Sequence, residues 1–380
     1  MKKQLAFVTI IAAIVGCQKN LDVVDGDYPT PNLPQQSYSY VIDRDVVFPD
    51  HVTRPSTSKT SSVTDAGATL GRVLFYDKAL SLNNSTACAS CHLQHKGFAD
   101  GKKLSTGFNS GVTKRNSPSV VNMIFQSKFF WDGRASSLQQ QVLMPIQDHI
   151  EMGLDDTIYM VKKVNELPYY RALFLDAFGS DQASMSTISS AMAQFIHSMI
   201  SVDSKFDRGE AIEFANLTLL EKEGLELFSN SSRTHCGSCH SINFGGWSSS
   251  FANVGLDMNY TDPGRAGLPG LEPWEGFFKI PSLRNVELTA PYMHDGRFET
   301  LREVIDHYDS GVQPHPSLDW RMTNQSNIVF FEDFNSNNEA LSDPWRLNLT
   351  EREKDALVAF LKTLTDRSLE MDPRFSDPFN

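Results

Sequence analysis

The sequence predicts a mainly α-helical protein made of two tandem units, and three observations carry that prediction. Cys-x-x-Cys-His occurs twice, at Cys88, Cys91, His92 and at Cys236, Cys239, His240. A glycine-led segment precedes each occurrence, Gly71-Arg72-Val73-Leu74-Phe75 and Gly224-Leu225-Glu226-Leu227-Phe228. Asp-Gly-Arg with a leucine four residues on follows each, at Asp132-Gly133-Arg134 with Leu138 and at Asp295-Gly296-Arg297 with Leu301. A motif order that recurs within one chain usually reflects one fold used twice.

The elements follow in order. Lys2 and Lys3, the apolar run Leu5–Val15 and the small residues before Cys17 form an export signal, too short for the roughly 20 apolar residues of a membrane span. Its end resembles a bacterial lipobox, in which the cysteine is acylated, so the expected location is the periplasm with a lipid anchor at Cys17. Residues 18–62, rich in Pro, Ser, Thr and Asp, read as a flexible tether. The first unit then spans 63–204 and the second 205–380, with the boundary near 202–208. Met185–Ile200 is apolar at helical spacing, and Thr218 with Glu221 and Thr350 with Glu353 are capping boxes that start helices. The interval from the His of the cysteine motif to the residue before Asp-Gly-Arg is 15 residues longer in the second unit, which places an insertion in 243–278.

The cysteine pattern sets the chemistry. Cys-x-x-Cys-His attaches a c-type haem, two thiols three residues apart adding to its vinyl groups while the histidine becomes an axial ligand. Composition alone would give about 0.002 such matches per chain, so two are not accidental. A shared zinc site is the rival, but the pairs stand 148 residues apart and it would leave both histidines unexplained. The net charge of −12 excludes polyanion binding as a main role. The repeat also points to the sixth ligands. The twelfth residue after Gly296 is Tyr308, whereas the twelfth after Gly133 is Pro145, which has no donor. One iron would be closed by an oxygen and the other left open; Met322 is the rival to Tyr308.

The body of the chain, about 65–365, resembles the bacterial diheme cytochrome c peroxidase family and its MauG-like branch. The residues that carry the resemblance are both Cys-x-x-Cys-His motifs, Arg115-Asn116-Ser117-Pro118, Phe130-Trp131-Asp132-Gly133-Arg134, Glu151-Met152-Gly153, Pro281-Ser282-Leu283-Arg284-Asn285-Val286 and Leu288-Thr289-Ala290-Pro291-Tyr292-Met293-His294-Asp295-Gly296-Arg297. The resemblance implies two cytochrome c-like domains, each around one covalent haem. It makes the haem on His92 the peroxide-reactive centre, with Gln141 and Glu151 beside it. The haem on His240 would feed it electrons through Trp131, and calcium would be held by Asn116 and the carbonyls of Thr289 and Pro291. Peroxidases of the family that need reductive activation carry a distal histidine where this chain has Phe108, and a methionine where it has Tyr308. Both departures are those of the MauG-like branch. Trp131 alone would read as core and Glu151 as a surface acid; the family match gives them roles. His294 reads as structural near the second haem, and His95 as a surface or propionate-contacting residue on the same helix as His92.

Three functions are therefore in view. The first is a peroxidase that reduces hydrogen peroxide with electrons from a small cytochrome c or cupredoxin. The second is peroxide-dependent oxidation of aromatic residues in a partner protein. The third, a plain dihaem electron carrier, conflicts with the open first iron.

Overall fold

The computed structural model describes residues 29–240, 242, 250–324 and 343–380. The expected export signal with Cys17 lies outside the described residues. The architecture is mainly helical: α1 (Asp65–Tyr76), α2 (Leu138–Gln147), α3 (Thr157–Glu166), α4 (Pro168–Phe178), α5 (Met185–Ser198), α6 (Lys205–Glu210), α7 (Leu219–Ser229), α8 (Leu301–Asp306) and α9 (Glu351–Thr363) carry the fold. The sheet content described is small, chiefly the antiparallel pair β1 (Phe251–Ala252) and β2 (Phe278–Lys279). No helix of the described residues is long and apolar enough to cross a membrane.

Two apolar cores form, one built mainly from residues 40–202 and one from residues 206–364. Each is organised by the same helix pair. In the first, α1 crosses α5 where Gly71 faces the backbone of Ala191: a Cβ on Gly71 would lie 2.0 Å from the Ala191 carbonyl oxygen. In the second, α7 crosses α9 where Gly224 faces Ala356, with the same 2.0 Å encroachment. Glycine is needed at both crossings because it alone lets the backbones come this close. An aromatic pair then seals each crossing, Phe75 on Phe195 at 5.4 Å and Phe228 on Phe360 at 5.1 Å between ring centroids. Such pairs add about 0.5–1.5 kcal/mol beyond the area they bury. The capping boxes at Thr218/Glu221 and Thr350/Glu353 start α7 and α9 as the sequence predicts.

The turn around Asp-Gly-Arg is also built twice. Phe129 bridges Ala135 as Tyr292 bridges Phe298, and Gly133 and Gly296 both take positive φ. A repeat that the sequence reading passed over lies upstream: Pro118-Ser119-Val120-Val121-Asn122 and Pro281-Ser282-Leu283-Arg284-Asn285, each 15 residues before the turn glycine. Asn122 clamps the end of α5 through two bonds of 2.9 Å with the Ser201 backbone. Asn285 clamps the end of α9 by accepting from the Asp366 N–H at 2.8 Å, and also donates to the Ser201 hydroxyl.

Two segments depart from the sequence expectation. Residues 38–62 do not form a free tether, because Tyr40, Ile42, Phe48 and Val52 are buried in the first core and Tyr40 donates to the Arg374 carbonyl. The end of the chain, expected in the second unit, returns to the first: Leu369 and Phe375 join its core, and the Arg72 and Tyr76 side chains donate to the Ser376 and Phe375 carbonyls.

Candidate haem sites

The first cysteine motif forms a 3₁₀ turn, Cys88–Ser90, and the second a single helical turn, Cys236–Cys239. The four cysteines of the two motifs form no disulfide, and burial raises their thiols above the ordinary range, Cys91 to about 11. Each adjoining histidine is oriented by a carbonyl. His92 Nδ1 lies 2.9 Å from the Phe98 oxygen, with the Pro118 carbonyl also in bonding reach, and His240 Nδ1 lies 3.1 Å from the Pro281 oxygen. A carbonyl can only accept, so Nδ1 carries the proton and Nε2 keeps its lone pair. Burial lowers His92 and takes His240 down to about 4, so both imidazoles are neutral. A neutral ring with a tied Nδ1–H is the state an axial ligand needs. Pro118 and Pro281 open the overlooked repeat, so the motif that clamps the helix ends also aims the ligands.

The chain turns after His92, and His95 lies in a separate 3₁₀ turn, Gln94–Lys96, exposed to solvent. It is not on one helix with His92, as the sequence suggested.

Glu151 is brought to the first motif by the loop after α2. Its charge acts on the thiols of both Cys88 and Cys91. Burial, then repulsion from Asp148, raises its carboxyl to about 7, with Arg134 opposing. Phe108 closes this loop: its N–H donates to the Glu151 carbonyl at 2.9 Å, and its ring covers Gly153 where a Cβ would stand 2.3 Å away. Gln141 and Pro145 are half-buried on α2, whose Leu138, Val142 and Ile146 face the core. Gln141 lies one helical turn from Pro145 and its side chain makes no hydrogen bond among the described residues.

The second motif opens on a cavity lined by Cys236, Cys239 and His240, and by Tyr308, Met322 and Trp131. Trp131 thus reaches the second site from the first half of the chain. Its indole N–H donates to the Asn116 carbonyl at 2.9 Å. Tyr308 sits in a widened π-turn, His307–Gly311, and burial lifts its hydroxyl above the ordinary range, reinforced by the charges of Cys239 and Cys236. Met322 is in the same wall, so geometry brings both candidate ligands to the cavity. His294 stacks on Phe278 at 3.7 Å and 11°, with Nδ1 lacking a partner among the described residues.

The three calcium candidates, Asn116, Thr289 and Pro291, all line this cavity. The Asn116 amide nitrogen donates to the Lys102 carbonyl at 2.8 Å, which turns Oδ1 away from that bond as an available oxygen. Among the described residues no group of three His, Cys, Asp or Glu side chains could hold a metal, so a cation here would rely on carbonyl-type oxygens, which suits calcium.

The family model for di-haem cytochrome c peroxidase matches residues 65–211. The methylamine utilization protein MauG of Methylorubrum extorquens is 33% identical over 323 residues, 83% of this chain and 82% of that protein. The chain belongs to the di-haem cytochrome c peroxidase family. The cytochrome c551 peroxidase of Nitrosomonas europaea is 36% identical over 243 residues, 63% of this chain and 71% of that protein. A solved MauG-like protein associated with microbial copper homeostasis shares 33% identity, covering 89% of this chain and 99% of that one at a TM-score of 0.74. Membership makes the chain an oxidoreductase and implies two c-type haems. The two tied histidines with flanking thiols, and the cavity beside His240, fit that pair of groups.

Proposed function

We propose that this di-haem family member is a peroxidase that reduces hydrogen peroxide at the first site with electrons relayed from the second. Cys88, Cys91 and His92 would hold one haem, and Cys236, Cys239, His240 and Tyr308 the other, each in a cytochrome c-like domain. When bound, the first haem would supply the iron at which peroxide is reduced. The observation that carries the reading is Glu151, a largely buried carboxyl held at about 7 near the first thiols, with the Phe108 ring, which has no ligand atom, closing its loop.

Glu151 takes the proton from the near peroxide oxygen and returns it to the far one, for which a carboxyl poised near neutral pH is suited. Gln141 orients the peroxide by hydrogen bonding. Trp131, fixed by its bond to Asn116, offers an oxidisable ring at the second cavity. Phe108 covers the Glu151 loop and limits water. A calcium ion on Asn116, Thr289 and Pro291 would stiffen the segment that supports Trp131. The protein would be exported and held at a membrane through acylated Cys17, with a small cytochrome c or cupredoxin as donor.

The test is stopped-flow mixing of the haem-loaded protein with hydrogen peroxide and a reduced cytochrome c or cupredoxin. The expected stoichiometry is two donors oxidised per peroxide, with two protons consumed and two waters formed. Peroxide loss with no donor oxidation would overturn it. Tyr308 in the second cavity, with 33% identity to a MauG-like protein over 89% of the chain, supports a second reading, peroxide-dependent oxidation of aromatic side chains in a partner protein.

A further inference from the structure

The wall of the second cavity carries three cationic side chains, Lys279, Arg284 and Arg321, and no aspartate or glutamate. Two of the cations are already matched. Arg284 pairs with buried Asp207, and Arg321 pairs with buried Asp319 at 2.8 Å. Lys279 has no carboxylate partner and no hydrogen-bond acceptor for Nζ among the described residues. Burial lowers its pKa to about 8, the mark of a cation held in an apolar wall without a counter-charge. A lone charge in such a place is costly unless something pairs it.

The position of Lys279 is fixed from outside the cavity. It ends β2, its N–H donates to the Trp131 carbonyl at 2.6 Å, and Phe278 before it carries the stacked His294 ring. His294 is 4% exposed and its Nδ1 is a second polar atom in the wall that lacks a partner among the described residues. Lys279 and His294 therefore lie on either side of the Phe278 ring contact and close to the Trp131 backbone, in a cavity wall that is mostly apolar and holds no carboxylate.

We infer that Lys279 binds a carboxylate of the second haem and so fixes that edge of the cofactor beside Trp131. This rests on the reading of the cavity as a haem site. Lys279 is then a positioning residue: through its N–H it ties the carboxylate end of the haem to the same backbone that carries the relaying indole. It also sets the potential, because a cation near the iron favours the ferrous state.

The test uses haem-loaded protein and the variants Lys279→Met and Lys279→Arg, compared by spectroelectrochemical titration of the low-spin haem. At a fixed applied potential the ferrous-to-ferric ratio of Lys279→Met should fall about tenfold, about 59 mV for one electron, while Lys279→Arg stays near the parent. If Lys279→Met fails to load its second haem and Lys279→Arg loads it, that also supports the pairing. A Lys279→Arg protein that behaves as Lys279→Met does, or a Lys279→Met protein with the parent potential, overturns it. Peroxide turnover by the parent is scored separately: its absence refutes the peroxidase reading and leaves the potential comparison valid.

Discussion

Glu151→Gln separates two effects that pull in opposite directions. The fold holds this carboxyl at about 7 against an ordinary 4.5, chiefly by burial, with Asp148 adding repulsion and Arg134 offsetting part of it. A carboxyl whose pKa rises on folding binds its proton more tightly folded than unfolded. Its ionisation therefore costs the fold nothing below about pH 4.5, progressively more between 4.5 and 7, and the full amount above 7. At about 1.4 kcal/mol per pH unit that amount is about 3 kcal/mol. Glutamine is neutral throughout, so Glu151→Gln should be more stable than the parent by up to about 3 kcal/mol at pH 8 and should lose that advantage toward pH 4.5. The peroxide reaction should move the other way. An amide cannot accept the proton, so the reaction slows by about 10²–10⁴-fold at pH 8. In the parent the rate should rise as pH passes 7 and Glu151 ionises, then level off; in the variant that step should vanish. Urea unfolding at pH 5 and 8 reads the stability, and stopped-flow absorbance of the haem-loaded protein reads the rate. A variant within twofold of the parent rate, or one that keeps the step near pH 7, removes Glu151 as the base. An equal stability difference at both pH values refutes the burial of a carboxyl held near 7.

Three further outcomes are expected. Electron paramagnetic resonance of the ferric, haem-loaded protein should show one high-spin and one low-spin centre, because on the proposed reading Phe108 and Pro145 would leave the first iron open; two low-spin signals would reveal a sixth ligand on the first iron and overturn that reading. Tyr308→Met should raise the potential of the second haem, as a thioether favours the ferrous state; an unchanged potential and spectrum would hand the ligand role to Met322, which shares the cavity wall. The same variant should keep donor-driven peroxide turnover yet lose any oxidation of a protein partner. Gly224→Ala places a Cβ 2.0 Å from the Ala356 carbonyl and should cost about 1–3 kcal/mol or more by forcing α7 off α9, whereas Gly267→Ala meets only a 3.4 Å contact and should be near neutral in urea unfolding.

The haem attachment residues and most long helices were legible because their signals are local: three fixed residues in five positions, or a threonine and a glutamate three apart before an apolar stripe. Burial of residues 38–62 was not, because Tyr40, Ile42, Phe48 and Val52 follow neither a helical nor a strand period and their partners lie in distant parts of the chain. Composition there reports the solvent-facing residues, while four irregularly spaced anchors decide the packing. The carbonyls that aim His92 and His240 are backbone groups, invisible to residue type. The Pro-Ser-x-x-Asn repeat that supplies the Pro281 carbonyl for His240, and a second carbonyl beside His92 after that of Phe98, was readable, but each copy taken alone resembles an ordinary turn. Lys279 stayed hidden for a different reason. A single lysine reads as solvated, and only the absence of acids from the cavity wall makes it unusual.

The divergence between the two sites is concentrated in equivalent helices. Pro145 is the eighth residue from the start of α2 and Tyr308 the eighth from the start of α8, both counted from the leucine four residues after Asp-Gly-Arg. In α2 the chain stays α-helical through Pro145 to Gln147. In α8 it widens into the π-turn at His307–Gly311, a form common at functional positions because it costs a regular hydrogen bond and re-aims side chains. That turn is held by its flanks. Lys354 of α9 binds Asp306 at 2.8 Å and Asp309 at 2.9 Å, on either side of Tyr308. Asp309 also accepts from the Leu349 N–H at 2.8 Å, and its carbonyl accepts from the Leu347 N–H at 3.1 Å. The turn that carries Tyr308 is thus held at both flanks by α9 and by the segment before it, and its tyrosine lines the cavity. The first half presents proline at the same place, and the proposed acid-base group, Glu151, comes from the loop beyond α2. On the proposed reading, one scaffold would yield a closed site and an open one through a single register position and the contacts that clamp it.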